Sequence, residues 1–228
     1  MSNSLLRLGK AYLIVVFPFV LVLAAARIVM SPLFLQIEYN RPGFPPDPFG
    51  FTQQDRLNYA PYAVNYLLNG AGIDYLADLK FPDGTLLYQA DELRHMRDVK
   101  ALTQIAFGVA FFAGLIALAD AFYLSRRKDL SRPLFYGAIV TLAIVAAIIV
   151  GALVDWDGFF VGFHELFFQN GTWYFPTNDT LIRLFPEQFW FDAALSIGGI
   201  TVLTCVIVIA VTWRVSLTAK RRSGNLDR

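Results

Sequence analysis

Cysteine, histidine and charge are the scarce materials of this 228-residue chain. Its one cysteine, Cys205, lies in the middle of an apolar run, so an internal disulfide is excluded and a thiol there serves packing. No glycine-rich phosphate loop, dinucleotide fingerprint or nucleophile-elbow serine motif occurs. An enzyme built from this inventory therefore works without a thiol and without those cofactor cradles. Charged residues make up only 16% of the chain, against 56% hydrophobic. Ordinary soluble domains reach roughly 45–50% apolar even with glycine counted. The deficit of charge marks an integral membrane protein.

What is present in quantity is long apolar runs. Four of them, near residues 11–29, 102–124, 133–154 and 194–215, reach the ~20 residues that cross a hydrocarbon core. Arg7 and Lys10 precede the first, Arg126, Arg127, Lys128 and Arg132 fill the turn after the second, and Arg214, Lys220, Arg221 and Arg222 close the last. This basic bias predicts a multi-pass membrane protein with both termini in the cytoplasm. The first run starts basic and contains Ala24, Ala25 and Ala26, as a cleaved leader would, but Ile28, Val29 and Met30 continue it, which favours an uncleaved anchor. The formal net charge of +1 averages two opposite surfaces and carries no sign of nucleic-acid binding.

The expected architecture is mainly α: four transmembrane helices with an extracytoplasmic cap built from two long loops. Its parts are a first span at 1–29, cap at 30–101, spans two and three at 102–154, cap again at 155–193, and a fourth span with a basic tail at 194–228. In the first loop, residues 40–48 are stiffened by proline, and Thr52 with Asp55 resembles a capping box. A short helix follows with Leu57, Ala60, Val64, Leu67 and Leu68 on one side, bent near Pro61 and ended by Gly70 and Gly72. Residues 79–81 and 86–88 around Pro82-Asp83-Gly84 read as a small hairpin, and Asp91 is placed to cap the next helix. The second loop is crowded with rings from Trp156 to Phe191. An interfacial belt accounts for some of them, and the surplus of phenylalanine suggests an apolar cleft able to admit acyl chains.

The two histidines sit just beyond the outer ends of apolar helices, and imidazole is the commonest proton-transfer group near neutral pH. His95 has Asp91 four residues before it and Asp98 three after, either of which could orient its ring; a solvated helix end is the alternative. His164 has Phe160, Val161, Phe167 and Phe168 as helical neighbours, so its ring must find a polar partner or bear the cost of desolvation. A structural histidine bonded to backbone is the competing reading there. His164-Glu165 begins like a zinc-protease helix, but Phe168 stands where the second ligand belongs, and no metal is expected. Within the spans, Arg27 and Asp120 lie near the ends, where snorkelling suffices, so the helices read as a platform rather than an ion path.

Several motifs in the two loops belong together. His95-Met96 with Asp98-Val99-Lys100, Phe163-His164 with Phe167-Phe168, Trp173, Asp179-Thr180-Leu181-Ile182, Leu184-Phe185-Pro186-Glu187, Phe49-Gly50-Phe51 and the helix from Asp55 resemble the bacterial membrane family that contains lipoprotein intramolecular transacylase. The spans match that family in number, order and length. The resemblance implies an acyltransferase with two catalytic histidines, His95 and His164, and no cofactor. Its partners would be membrane lipids and a diacylglyceryl-modified lipoprotein, whose sn-2 acyl chain moves to the α-amino group of its N-terminal cysteine. The residues agree chemically, because ester aminolysis needs one proton removed and one delivered, and the substrate brings its own nucleophile. His164, in the apparently drier setting, is read as base and His95, near carboxylates, as acid; the reverse stays open. Phe160, Phe163, Phe167 and Trp173 are candidates to hold the lipid, and Arg27 and Arg41 the peptide end or ester carbonyl, with Tyr39, Asn170 and Glu187 as further candidates. The rival readings are a lipid-binding or accessory protein without chemistry, and a lipid ester hydrolase.

Overall fold

A computed structural model describes residues 3–168 and 171–224. Among these the secondary structure is helical: α1 (Asn3–Val29), α2 (Pro32–Tyr39), α3 (Gln53–Leu68), α4 (Asp74–Ala77), α5 (Ala90–Arg126), α6 (Ser131–Val154), α7 (Trp156–Phe167), α8 (Thr180–Leu184) and α9 (Glu187–Gly224). Four segments, Ser4–Val29, Ala90–Arg126, Ser131–Val154 and Glu187–Thr218, are long and apolar enough to cross a membrane, which makes this a multi-pass membrane protein. The chain divides into two compact units.

The first unit comprises Met1–Ala25, Gly108–Val154 and Ile197–Arg228. Its helices meet through small residues and buried hydroxyls, as membrane helices do. The ring of Phe17 occupies the space a side chain at position 137 would need, Thr141 and Cys205 are fully buried, and the Tyr12 hydroxyl donates to the Ala113 carbonyl at 2.9 Å. At one end Lys10 pairs with Asp129 at 3.0 Å.

The second unit, Ala26–Phe107 and Asp155–Ser196, carries both histidines and has its own core. Ser31 caps α2 with Pro32 in the first turn, where a missing N–H is harmless. At α3 the Thr52 hydroxyl and the Asp55 carboxylate satisfy each other's backbone N–H groups, the capping box expected from the sequence. The expected face of α3 is also present: Ala60 and Val64 are buried with Leu35, Tyr39, Leu76 and Leu184, while Leu57, Leu67 and Leu68 pack at the margin. The helix continues through Pro61 and stops at Asn69.

Two local expectations change. The hairpin reduces to one antiparallel bridge, Lys80 with Leu86, around a turn with Gly84 at φ +88°. A strand alternates its faces, whereas Leu87 and Tyr88 both enter the core, so the pairing cannot continue. The start of α5 is capped by Glu92 rather than Asp91: the Gln89 N–H donates to Glu92 Oε2 at 2.7 Å. Asp91 instead lies on the exposed side and accepts from the Glu92 N–H.

The proline-rich lead-in is fastened by charge. Asp47, its side chain 1% exposed, pairs with Arg183 of α8 at 3.0 Å and also accepts from the Phe51 N–H. Arg183 lies 3.6 Å over the Phe51 ring, and buried Arg56 donates to the carbonyls of Arg183 and Pro45. Removing one member of such a pair leaves a desolvated charge. Asp47→Ala is expected to cost about 3 kcal/mol, against about 1 kcal/mol for Thr52→Ala at the α3 cap. Denaturant unfolding in detergent micelles checks the order, and equal losses would contradict it.

Candidate functional site

α5 is 37 residues long, nearly twice a membrane crossing, and its apolar run begins at about Leu102. The charged turns before Ala101 therefore lie outside the spanning segment. There the helix sorts its faces, with Glu92, His95 and Met96 buried and Asp91, Arg94, Arg97 and Asp98 exposed. His95 is 8% exposed, and among the described residues its Nδ1 has no hydrogen-bond partner. Neither Asp91 nor Asp98 reaches the ring, because both carboxylates belong to the solvated face. Burial, aided by the neighbouring imidazole of His164, pushes the His95 pKa down to about 4, so the ring is neutral at physiological pH.

His164 comes from α7, a twelve-residue helix whose first turn is capped by the Asp155 carboxylate accepting from the Gly158 N–H. Its Nδ1 lies 2.8 Å from the Phe160 carbonyl oxygen, one turn back. A carbonyl only accepts, so Nδ1 carries the proton, and in the neutral ring Nε2 holds the lone pair. The ring is half-buried; burial lowers its pKa, against the opposing pull of the Phe160 carbonyl. Of the two rings His95 is the drier, which reverses the expectation that His164 has the drier setting.

The two imidazoles are neighbours, with centroids 6.2 Å apart and planes 28° from parallel. Phe168 stands beside both, 5.0 Å from His95 and 5.8 Å from His164. Phe160 at 4.2 Å and Trp173 at 4.7 Å pack on His164, Phe163 meets it edge-on at 5.6 Å, and Phe175 lies 5.5 Å from His95. The structure thus gathers His95, His164, Phe160, Phe163 and Trp173. Phe167 joins only through Phe163, at 5.2 Å.

The arginines are placed differently. Arg27 is exposed and donates to the Met30 carbonyl. Arg41 is held by Glu38, at 3.1 Å, and by Asp192. Among the described residues no hydrogen bond, ion pair or ring contact joins either arginine to the histidines. Tyr39 is buried with its hydroxyl on the Leu184 carbonyl, Glu187 opens α9, and Asn170 lies outside the described residues. Among the described residues no cluster of three or more histidine, cysteine or carboxylate side chains is arranged to hold a metal ion.

Three residues at the site were not singled out for chemistry by sequence reasoning: Glu92, Phe168 and Phe175. Glu92 is fully buried, and its carboxylate accepts from the Gln89 N–H at 2.7 Å and the Leu181 N–H at 2.6 Å. Burial pushes its pKa up to about 7 despite those two donors, and the Asp179 and Asp91 carboxylates add to the rise. The available signal was the spacing of Glu92, His95, Met96 and Val99, one stripe of a helix.

These shifts oppose each other in stability. His95 is neutral when folded and protonates more readily when unfolded, so its contribution is lost as pH falls from about 6.5 toward its folded value of about 4. Glu92 holds its proton more tightly when folded, so its contribution declines as pH rises from 4.5 to about 7. Replacing His95 by Phe removes the first slope and leaves the second. Unfolding free energy of His95→Phe should then fall more steeply between pH 4.5 and 6.5 than that of the wild type; parallel curves would contradict the assignment.

The model of the lipoprotein intramolecular transacylase Lit family matches residues 11–190. A protein of Aquifex aeolicus (strain VF5), described as uncharacterized, is 27% identical over 203 residues, which is 89% of this chain and 92% of that protein. The in meso structure of the membrane integral transacylase Lit from Bacillus cereus is similar in fold, at TM-score 0.79 and 21% identity, over 96% of this chain and 100% of that one. A variant of the same protein with one histidine changed to arginine gives TM-score 0.71 and 22% identity, over 97% and 96% of the two chains. A family match that runs from the first apolar helix through both histidine-bearing segments settles membership: the chain belongs to the lipoprotein intramolecular transacylase Lit family.

Proposed function

We propose that the protein transfers the sn-2 acyl chain of a diacylglyceryl-modified lipoprotein to the α-amino group of that lipoprotein's N-terminal cysteine, giving the lyso form acylated on nitrogen. In this reading the loops at 30–101 and 155–193 face the extracytoplasmic side and the termini the cytoplasm. The observation that carries it is the pair of imidazoles 6.2 Å apart among aromatic rings, one with its Nδ1 committed to a backbone carbonyl so that Nε2 holds the lone pair. Family membership supplies the reaction class.

The amine nitrogen attacks the ester carbonyl carbon, forming a C–N bond while the C–O bond to the glycerol sn-2 oxygen breaks. His164 Nε2 takes the proton from nitrogen and returns it to the departing oxygen, so protons balance within one residue. A ring that protonates only near pH 4 is a poor imidazolium acid. His95 therefore acts as a neutral N–H donor to the oxyanion of the tetrahedral intermediate, where a preorganised donor counts most. The amine, with a reference pKa of roughly 7.7–8.0, is already partly neutral and needs little from its base. Holding ester and amine together is the larger task, and Phe160, Phe163, Phe167, Phe168, Trp173 and Phe175 supply the apolar walls that fold the lipid back on itself.

Mass spectrometry of a lipoprotein N-terminal peptide after co-expression tests the reading. Wild type should give the lyso product, and His164→Ala should lower its rate by about 10²–10⁴. His95→Ala should cost about 10²–10³, with His95→Asn recovering part because the amide keeps an N–H donor. No recovery is expected from His164→Asn. Lyso product absent in wild type, or undiminished in both alanine variants, would overturn the proposal.

The pH profile follows from the same assignments. Both histidines are held below their ordinary value, so neither protonates at pH 7. The fall of kcat/KM on acidification should have its midpoint at the amine, roughly 7.7–8.0. A wild-type histidine ring whose ¹⁵N signals titrate with a midpoint above pH 6.5 would contradict the neutral pair.

A further inference from the structure

Proton transfer at this site depends on how the aromatic wall is held to His95, and that wall is carried by a stretch without regular structure. Phe175 is 8% exposed and touches His95 at 5.5 Å, and Trp173 covers His164 at 4.7 Å. Four residues after Phe175 the chain turns, with the Asp179 N–H donating to the Pro176 carbonyl at 3.0 Å, and α8 begins. The Leu181 N–H of α8 then donates at 2.6 Å to Glu92 Oε1, while Glu92 Oε2 receives the Gln89 N–H at the start of α5. His95 is three residues further along α5.

We propose that Glu92 is a positioning residue: its buried carboxylate ties the start of α8 to the first turn of α5 and so holds the Trp173–Phe175 wall over the imidazole of His95. The assignment rests on the transacylase reading for its role in catalysis, although the tie itself stands on geometry.

Two backbone donors converge on one side chain, and only an acceptor at both oxygens satisfies them together. Those two bonds account for a carboxyl group with no exposed surface and, among the described residues, no ion-pair partner. The acidic groups acting on it, Asp91 on its own helix and Asp179 at the cap of α8, both repel its charge. Tyr88, buried and acted on by the Glu92 charge, has a hydroxyl without a hydrogen-bond partner among the described residues. A second tether, the Thr180 hydroxyl donating to the Leu87 carbonyl, joins α8 to the segment just before α5, so loss of Glu92 loosens the wall without freeing α8.

The chain has two histidines, so ¹⁵N-histidine labelling reports on the site with one pair of ring signals from each. The experiment follows both rings against pH in micelles of wild type, Glu92→Gln and Glu92→Asp, with lyso-product formation measured in parallel. In Glu92→Gln the amide NH₂ opposes one of the two backbone donors, water reaches His95, and its titration midpoint should rise by at least one unit toward roughly 6.5. The His164 ring, anchored to the Phe160 carbonyl, should keep its midpoint. Lyso product should fall at least tenfold, with Glu92→Asp intermediate in both readouts. An unchanged His95 midpoint in Glu92→Gln overturns the proposal, and if that variant does not fold, an unchanged midpoint in Glu92→Asp does so. A raised midpoint without lyso product in wild type would keep the tie and discard the transacylase reading.

Discussion

A carbonyl oxygen one helical turn behind an imidazole fixes what that imidazole can do. Once Nδ1 of His164 is committed to the Phe160 carbonyl, only Nε2 is left with a lone pair, and the ring can accept a proton at that one edge alone. Everything else around the pair serves to keep that edge neutral and dry. The rings of Phe160, Trp173 and Phe168 remove water, which disfavours the imidazolium at both histidines. The second unit's core, from Leu35 and Tyr39 to Leu184 and Phe189, fixes the segments that present those rings.

Much of this was visible in the amino-acid sequence where a local rule decides the outcome. The four apolar runs needed only length and composition, and the Thr52–Asp55 box only its spacing. Residues 86–88 misled because turn chemistry at Pro82-Asp83-Gly84 suggests a hairpin, while the chain beyond sends two consecutive side chains inward. Arg41 was equally opaque: one of its acidic partners, Asp192, is 151 positions away, and no local pattern announces such a pairing.

The histidines illustrate the boundary best. Their identity as a pair followed from scarcity and motif, but their environments were read in the wrong order. Asp91 and Asp98 flank His95 in sequence and suggest a wet, charged helix end, yet the helix turns both of them outward and buries Glu92 and Met96 with the ring. His164, amid phenylalanines, keeps more exposure because α7 buries none of its residues fully. Sequence gives neighbours along a helix; which side faces the core depends on segments such as α8 that arrive from far away.

α8 is only five residues long, yet three remote stretches converge on it: the proline-rich lead-in through Asp47 and Arg183, the chain from Leu87 into the first turn of α5 through Thr180 and Leu181, and Tyr39 through the Leu184 carbonyl. A miniature helix gripped on several sides acts as a keystone whose seat does not depend on the chain leading into it. The ring-bearing stretch between α7 and α8 is thereby spared the task of seating that helix. Within it Phe175, buried in the core against His95, and Trp173, over His164, are fixed by their contacts, so drift is left to exposed positions such as Tyr174.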